Sequence, residues 1–326
     1  MTDAALVAAK AMLGRHPLPP ADRLAPHVDL HAGAPVGAHR GSAAYAEVLK
    51  RPLCSATAAA VWEPDLILGG VAACTGVEER WVATHGHLVG RLQGPLWGVP
   101  APSTAAATLR VGAFHRIVGE GDAWAVAETR ILFDLLALAS QTGIEVLPPF
   151  DGRAGRPPAP ARGPAVAPEL GEPTASHTTL TLVEDMLGGC NRLVNGSLQS
   201  MGMATYWHDD MRWYGPHGVG ATHGFDEFQR DAQGPSVASF PNRRGGHHRA
   251  RFADGDLAAF TGWPSLRGTF DGVAFRGIEP TGGPIGQNIM DFYVRRDTHL
   301  HENWVLIDLI DFAAQCGVDL LEGLVA

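Results

Sequence analysis

Cysteine is scarce in this sequence, and the four present, Cys54, Cys74, Cys190 and Cys316, form no CxxC pair. Scattered thiols of that kind build neither a disulfide framework nor a cysteine zinc site, and they fit a reducing compartment. Charge is thin as well: 18% of the 326 residues are Asp, Glu, Lys or Arg, and the formal net charge is -9. An acidic balance gives nucleic acid or an anionic membrane surface no general attraction to the chain. No apolar run reaches membrane-spanning length, and the start Met1-Thr2-Asp3, with Lys10 inside its apolar stretch, shows no small-residue cleavage site. The expectation is a cytoplasmic protein with neither nucleic-acid nor membrane partners. The sequence also has no Walker phosphate loop, no GxGxxG opening a βαβ unit and no GxSxG elbow. Nucleotide-dependent and serine-hydrolase chemistry therefore lack the residues to carry them, and no cofactor is expected.

What is present is an internal repeat. Glu128-Thr-Arg-Ile-Leu-Phe-Asp134-Leu-Leu-Ala-Leu-Ala-Ser-Gln141-Thr-Gly143 matches Glu302-Asn-Trp-Val-Leu-Ile-Asp308-Leu-Ile-Asp-Phe-Ala-Ala-Gln315-Cys-Gly317 in register. Earlier blocks keep the same order: Val36-Gly-Ala-His-Arg-Gly41 with Val219-Gly-Ala-Thr-His-Gly224, and Trp81-Val-Ala-Thr-His-Gly86 with Leu257-Ala-Ala-Phe-Thr-Gly262. Ordered self-similarity of this kind points to duplication. The Pro- and Gly-rich stretch between the copies has almost no large apolar residue after Phe150 and reads as a linker. The expected division is a first domain at 1–147, a linker at 148–173 and a second domain at 174–326.

Each copy reads as N-terminal helix, short strand, further helix, strands with period-2 alternation, and a last short helix ended by Gly143 or Gly317. The first copy starts with a helix over Ala4 to Leu13; the second offers Leu180 to Leu187 and then roughly Arg192 to Met203. The class is α+β with a mainly antiparallel sheet in each copy. Asp134 and Asp308 open the last helices as N-terminal carboxylates.

The second copy carries Trp207-His-Asp-Asp-Met-Arg-Trp-Tyr-Gly-Pro216, Gly224-Phe-Asp-Glu-Phe, Ser239-Phe-Pro241, Gly255-Asp-Leu-Ala-Ala, Gly277-Ile-Glu-Pro-Thr-Gly282 and Asp291-Phe-Tyr. Together these resemble the SnoaL-like polyketide cyclases of the NTF2-like superfamily, over nearly all of the second copy and more faintly over Asp29 to Leu147 of the first. The resemblance implies two tandem cones, each a curved sheet wrapped by helices around a small hydrophobic ligand. It also implies pairing through the outer sheet face, either as a pseudo-dimer of the two copies within one chain or as a homodimer. The activity it implies is cofactor-free acid/base chemistry on a small carbonyl compound, of the polyketide cyclase, lyase or isomerase kind. A non-catalytic binding protein and an epoxide or ester hydrolase in the same pocket are the alternatives, because the fold does not fix the reaction.

Within Gln287-Asn-Ile-Met-Asp-Phe-Tyr293, alternation places Gln287, Ile289, Asp291 and Tyr293 on one strand face. A carboxylate desolvated there by Phe, Trp and Met neighbours acquires the raised pKa that a base for carbon acids needs. Asp291 is thus a candidate catalytic base, or else an anchor that bonds a neighbouring strand; the first copy has Ala113 at the matching place. On the next strand His301, Asn303 and Val305 share a face, with His301 a second candidate catalytic group. The resemblance places the family's acid-base aspartate at Val305, or Ile131 in the first copy, and valine cannot transfer a proton. It also places Trp213, Tyr214, His217 and His223 near the cone mouth as ligand contacts, with Ile289, Tyr293, Asn303 and Val305 deeper, and makes His31 the counterpart of Tyr214. Glu302 recurs as Glu128, which favours a shared structural role.

Two histidine pairs, His85-Gly-His87 and His299-Leu-His301, each put two imidazoles on one strand face, but neither has a third ligand at fixed spacing, so no metal is expected. The basic run Asn242-Arg-Arg-Gly-Gly-His-His-Arg-Ala-Arg251 reads either as a solvated loop entering a strand or as an attractor for a substrate carboxylate or phosphate.

Overall fold

The computed structural model describes residues 3–148 and 153–324. The chain divides into two units, one taking the chain up to Val146 with Pro158–Leu170 and the segment from Leu321, the other taking Leu147–Pro157 and Gly171–Leu320. The stretch expected as a linker is therefore shared between them. Ala165 bridges to Leu66 in the first unit and Arg153 to Ala221 in the second, while Pro173 already begins a helix; Pro149 to Gly152 of that stretch lie outside the described residues. No helix among the described residues is long and apolar enough to cross a membrane.

The first unit runs α1 (Ala4–Leu13), β1 (Leu24–Ala32), β2 (Ala38–Arg40), α2 (Ser42–Tyr45), α3 (Arg51–Ala56), β3 (Ala59–Ala72), β4 (Glu79–Arg91), β5 (Ala107–Val118), β6 (Ala125–Phe133) and α4 (Leu135–Ser140). Its six strands form one sheet in the order β2-β1-β6-β5-β4-β3, antiparallel except where β1 meets β6. The second unit repeats this with α5 (Pro173–Cys190), β7 (Trp207–Tyr214), β8 (Ala221–His223), α6 (Phe225–Phe228), α7 (Gly234–Ser239), β9 (Arg244–Gly245), β10 (Ala250–Asp254), β11 (Leu257–Thr269), β12 (Pro284–Arg296), β13 (His299–Ile307) and α8 (Leu309–Gln315). Its seven-stranded sheet runs β10-β11-β12-β13-β7-β8, with β9 on β11, and β13 meets β7 in parallel. Two mixed sheets, each wrapped by helices, make the α+β architecture that the repeat predicts.

Local chemistry explains several boundaries. In both units a π-helical turn, Ala46–Lys50 or Gln229–Gln233, separates two short helices, and it precedes Pro52 or Pro235 near the start of the next helix. Proline brings no N–H, so the preceding carbonyls are released from the regular ladder and the turn widens. Asp134 accepts from the Ala137 amide at 3.0 Å, and Asp308 from the Asp311 amide at 3.1 Å, so both open a terminal helix as expected. The helix expected at Arg192 to Met203 is instead two 3₁₀ turns, Leu198–Met201 and Met203–Thr205. Asn195, Gly196 and Gly202 adopt left-handed backbone there, at φ of 51°, 69° and 63°, which no α-helix accommodates.

The second unit also buries an aromatic plug. Phe312 of α8 packs on Phe240, Phe270 and Phe275 with ring centroids 5.6, 5.4 and 5.8 Å away, and Phe312, Phe240 and Phe270 are fully buried. Phe312→Ala is expected to cost about 3–5 kcal/mol, read as a lower denaturant midpoint for this unit; an unchanged midpoint would mean the plug contributes nothing.

Candidate functional site

The second unit encloses a cavity of about 200 Å³ between α5, the α6–α7 segment and the inner face of the sheet. Its walls are chiefly apolar: Met186, Met203, Trp207, Trp213, Phe228, Phe260 and Phe275 all line it. Period-2 alternation on β12 delivers Gln287, Ile289, Asp291 and Tyr293 to this wall, and β13 delivers Asn303, Val305 and Ile307, because neighbouring strands expose one face in register.

Asp291 is 7% exposed. Its Oδ1 accepts from the Tyr293 hydroxyl at 3.2 Å and from Asn303 Nδ2 at 3.3 Å, while Asn303 also donates to the Phe292 carbonyl at 3.1 Å. Oδ2 has no hydrogen-bond partner among the described residues. Burial pushes the carboxyl pKa up to about 7, against the opposing pull of the bonds from Asn303 and Tyr293. The Tyr293 hydroxyl is held well above its ordinary value, by burial first and then by the neighbouring carboxylate, so it stays a donor. Burial likewise raises the Cys190 thiol, which removes it as a thiolate nucleophile at neutral pH.

Asp291 pairs across the sheet with Phe260 on β11 and with Val305 on β13. His248, 8% exposed, stacks on Phe260 with ring centroids 4.2 Å apart and also lines the cavity. Arg251 Nη1 lies 3.1 Å from His248 Nδ1, and Arg251 Nε donates to Glu184 at 2.9 Å. Arginine can only donate, so His248 Nδ1 is an acceptor and its hydrogen sits on Nε2. Burial, then the Arg251 charge, pulls the ring down to about 3, so it is a neutral N–H donor across the working range of pH. Arg243, also on the wall, donates through Nη1 to Ser236 Oγ.

The structure brings Asp291, Tyr293, Asn303, Ile289, Val305 and Trp213 to one cavity and leaves four other candidates outside it. A register shift at Val294/Arg295 makes His301 the unpaired residue between Leu300 and Glu302, and its Nε2 sits 2.9 Å from Arg296 Nη1, with Asp210 at 3.6 Å. Trp213 and Tyr214 are adjacent on β7 and face opposite sides, so Tyr214 stacks on Trp304, centroids 5.3 Å apart, away from the cavity. His223, exposed on β8, meets Tyr214 edge-on at 6.2 Å. His217, in the loop between β7 and β8, does not line the cavity. Arg243 and His248 belong to the basic run that the sequence offers as either a solvated loop or an attractor for a substrate carboxylate or phosphate; neither is singled out individually there, and both line the cavity where the run returns onto β11.

In the first unit the same register places Ala113 opposite Ile131, where the second has Asp291 opposite Val305. His115 and Thr129 take the places of Tyr293 and Asn303, with Nδ1 and Oγ1 3.1 Å apart. His85 and His87 converge there on Asp65, their Nδ1 atoms 3.3 and 3.0 Å from Oδ2. Against the cost of burial, hydrogen bonds from both rings hold Asp65 well below the usual carboxylate range. Arg110 Nε donates to His85 Nε2 at 2.9 Å, so the His85 hydrogen faces Asp65 and that nitrogen offers no lone pair to a metal. Among the described residues no group of three or more His, Cys, Asp or Glu is arranged to hold a metal ion.

No protein-family model and no curated protein matches this sequence. Among solved structures the chain is similar to AclR, a candidate hydroxylase from Streptomyces galilaeus, at 18% identity and TM-score 0.36, over 44% of this chain and 97% of that one. It is similar to a candidate SnoaL-like polyketide cyclase from Jannaschia sp. CCS1 at 15% identity and TM-score 0.36, over 43% and 92%. An NTF2-like protein of unknown function from Burkholderia pseudomallei K96243 matches at 14% identity and TM-score 0.35, over 43% and 98%.

The Asp291 carboxyl has a stability signature. Its folded pKa, about 7, lies above the ordinary 3.8, so the folded state binds the proton more tightly and loses stability as pH rises from about 4 to about 7. Asp291→Asn is expected to match the wild type below about pH 4 and to exceed it above about pH 7 by on the order of 1–4 kcal/mol. Thermal melts across that range check this; a constant difference contradicts the burial of a carboxylate.

Proposed function

We propose that the second unit is a cofactor-free acid/base catalyst acting on a small carbonyl compound, with Asp291 as the base. The observation that carries this is a carboxylate buried in an apolar cavity, anchored through one oxygen and open at the other, with its pKa raised to about 7. A base of that strength suits abstraction of a proton from carbon next to a carbonyl. Asp291 Oδ2 takes the proton, and the negative charge that develops on the carbonyl oxygen is met by the Nε2–H of His248. Because that donor is neutral and fixed before reaction, it favours the charge as it develops. The proton then returns to a different carbon in an isomerisation, or the carbanion attacks a second carbonyl of the same molecule, closing a ring whose alkoxide oxygen takes the proton back from Asp291.

His248 takes this donor role rather than Tyr214, His301 or Asn303, since the first two lie off the cavity and Asn303 is committed to Asp291. In the first unit Ala113 and Ile131 supply no proton acceptor at the corresponding places, which supports a scaffold role there.

Exchange of the α-hydrogens of 2-indanone in heavy water, followed by NMR, tests the proposal. Wild-type exchange should rise through about pH 7 as Asp291 ionises, and Asp291→Asn should slow it about 10²–10⁴-fold; equal rates for the two proteins sink the idea. Asn303→Leu removes a donor to the carboxylate, so the midpoint of the pH profile should move upward, and a downward shift would contradict the assigned contact.

A further inference from the structure

Arg243 has no part in that proton transfer. It lies on the cavity wall, its one side-chain hydrogen bond goes to the neutral Ser236 hydroxyl, and no carboxylate lies within ion-pair range of it among the described residues. Three other arginines of the unit are matched with carboxylates, Arg251 with Glu184, Arg295 with Asp256 and Arg296 with Asp210, while Arg192, Arg244 and Arg276 bond neutral oxygens but do not line the cavity. Asp291 is not its counterion, because that carboxylate is held by Tyr293 and Asn303 and binds its proton more tightly than usual. A guanidinium stays charged under all ordinary conditions, and a partly buried one facing an apolar space lacks the anion that would offset its desolvation. Its planar fork of donors suits a carboxylate. Size adds a limit: an apolar cavity of about 150 Å³ takes benzene, so about 200 Å³ takes a single substituted ring.

We infer that this cavity recognises a small, one-ring-sized carbonyl compound bearing a carboxylate, which Arg243 binds while the reacting carbon is presented to Asp291. The inference rests on the acid/base proposal for the reacting end only. Benzoate and benzamide, rings of the same shape that differ in charge, are the probes, titrated calorimetrically into the full chain. Benzoate should bind roughly tenfold tighter or more, the scale of one charge-assisted contact. In Arg243→Gln the two ligands should differ by less than about twofold on the same scale, and Arg243→Lys should retain part of the preference. Equal binding of both probes to the wild type, no binding of either, or an undiminished preference in Arg243→Gln overturns the inference. If Arg243→Gln does not fold, Arg243→Lys decides, because an ammonium cannot reproduce the two-pronged contact; an unchanged ratio there overturns the inference. Asp291→Asn separates the two proposals. Benzoate preference intact with indanone exchange unaffected sinks the acid/base proposal alone, and exchange lost without any benzoate preference sinks this one alone.

Discussion

The register between β12 and β13 sets the chemistry of the second unit. Opposing Asp291 to Val305 and Tyr293 to Asn303 groups one carboxylate, one hydroxyl and one amide on the inner face of the sheet, within a chiefly apolar wall. A slip of one residue would turn the whole set outward. The aromatic plug at Phe240, Phe270, Phe275 and Phe312 borders the cavity through Phe275, and α5 lines it with Met186, so the carboxylate loses water without gaining an ion-pair partner. That combination, rather than any one contact, weakens its acidity.

The two units keep one architecture around different inner residues. Both keep the strand order, the parallel contact between first and last strands, the π-helical turn before a proline and the aspartate cap on the last helix. Among the inner positions at which they differ, Ala113 stands where the second unit has Asp291. His115 and Thr129, at the places of Tyr293 and Asn303, contact each other directly, whereas Tyr293 and Asn303 both bond Asp291.

Much of this was legible in the sequence because strand alternation is strict. Gln287, Ile289, Asp291 and Tyr293 were expected on one face and lie there, and Asn303 and Val305 likewise. The failures have local causes. His301 follows the same alternation on paper, but a register shift beside it breaks the period. Tyr214 and Trp213 are neighbours, so only one of them could reach the cavity. Arg243 and His248 belong to a run whose composition fits a solvated loop as well as an anion attractor, and nothing in composition records that a loop folds back over a pocket. The short helices after α5 were overestimated because hydrophobic spacing carries no information about left-handed turns at Asn195, Gly196 and Gly202.

The chain of contacts from Glu184 through Arg251 to His248 has one more consequence. By holding the imidazole hydrogen on Nε2, it makes His248, like Arg243, a donor on the cavity wall, while Asp291 Oδ2 is an acceptor opposed to them. The wall therefore carries fixed donors beside one fixed acceptor, a hydrogen-bond polarity set by the protein before anything occupies the space. A surface carboxylate on α5, outside the cavity, thereby helps set the tautomer of a ring inside it.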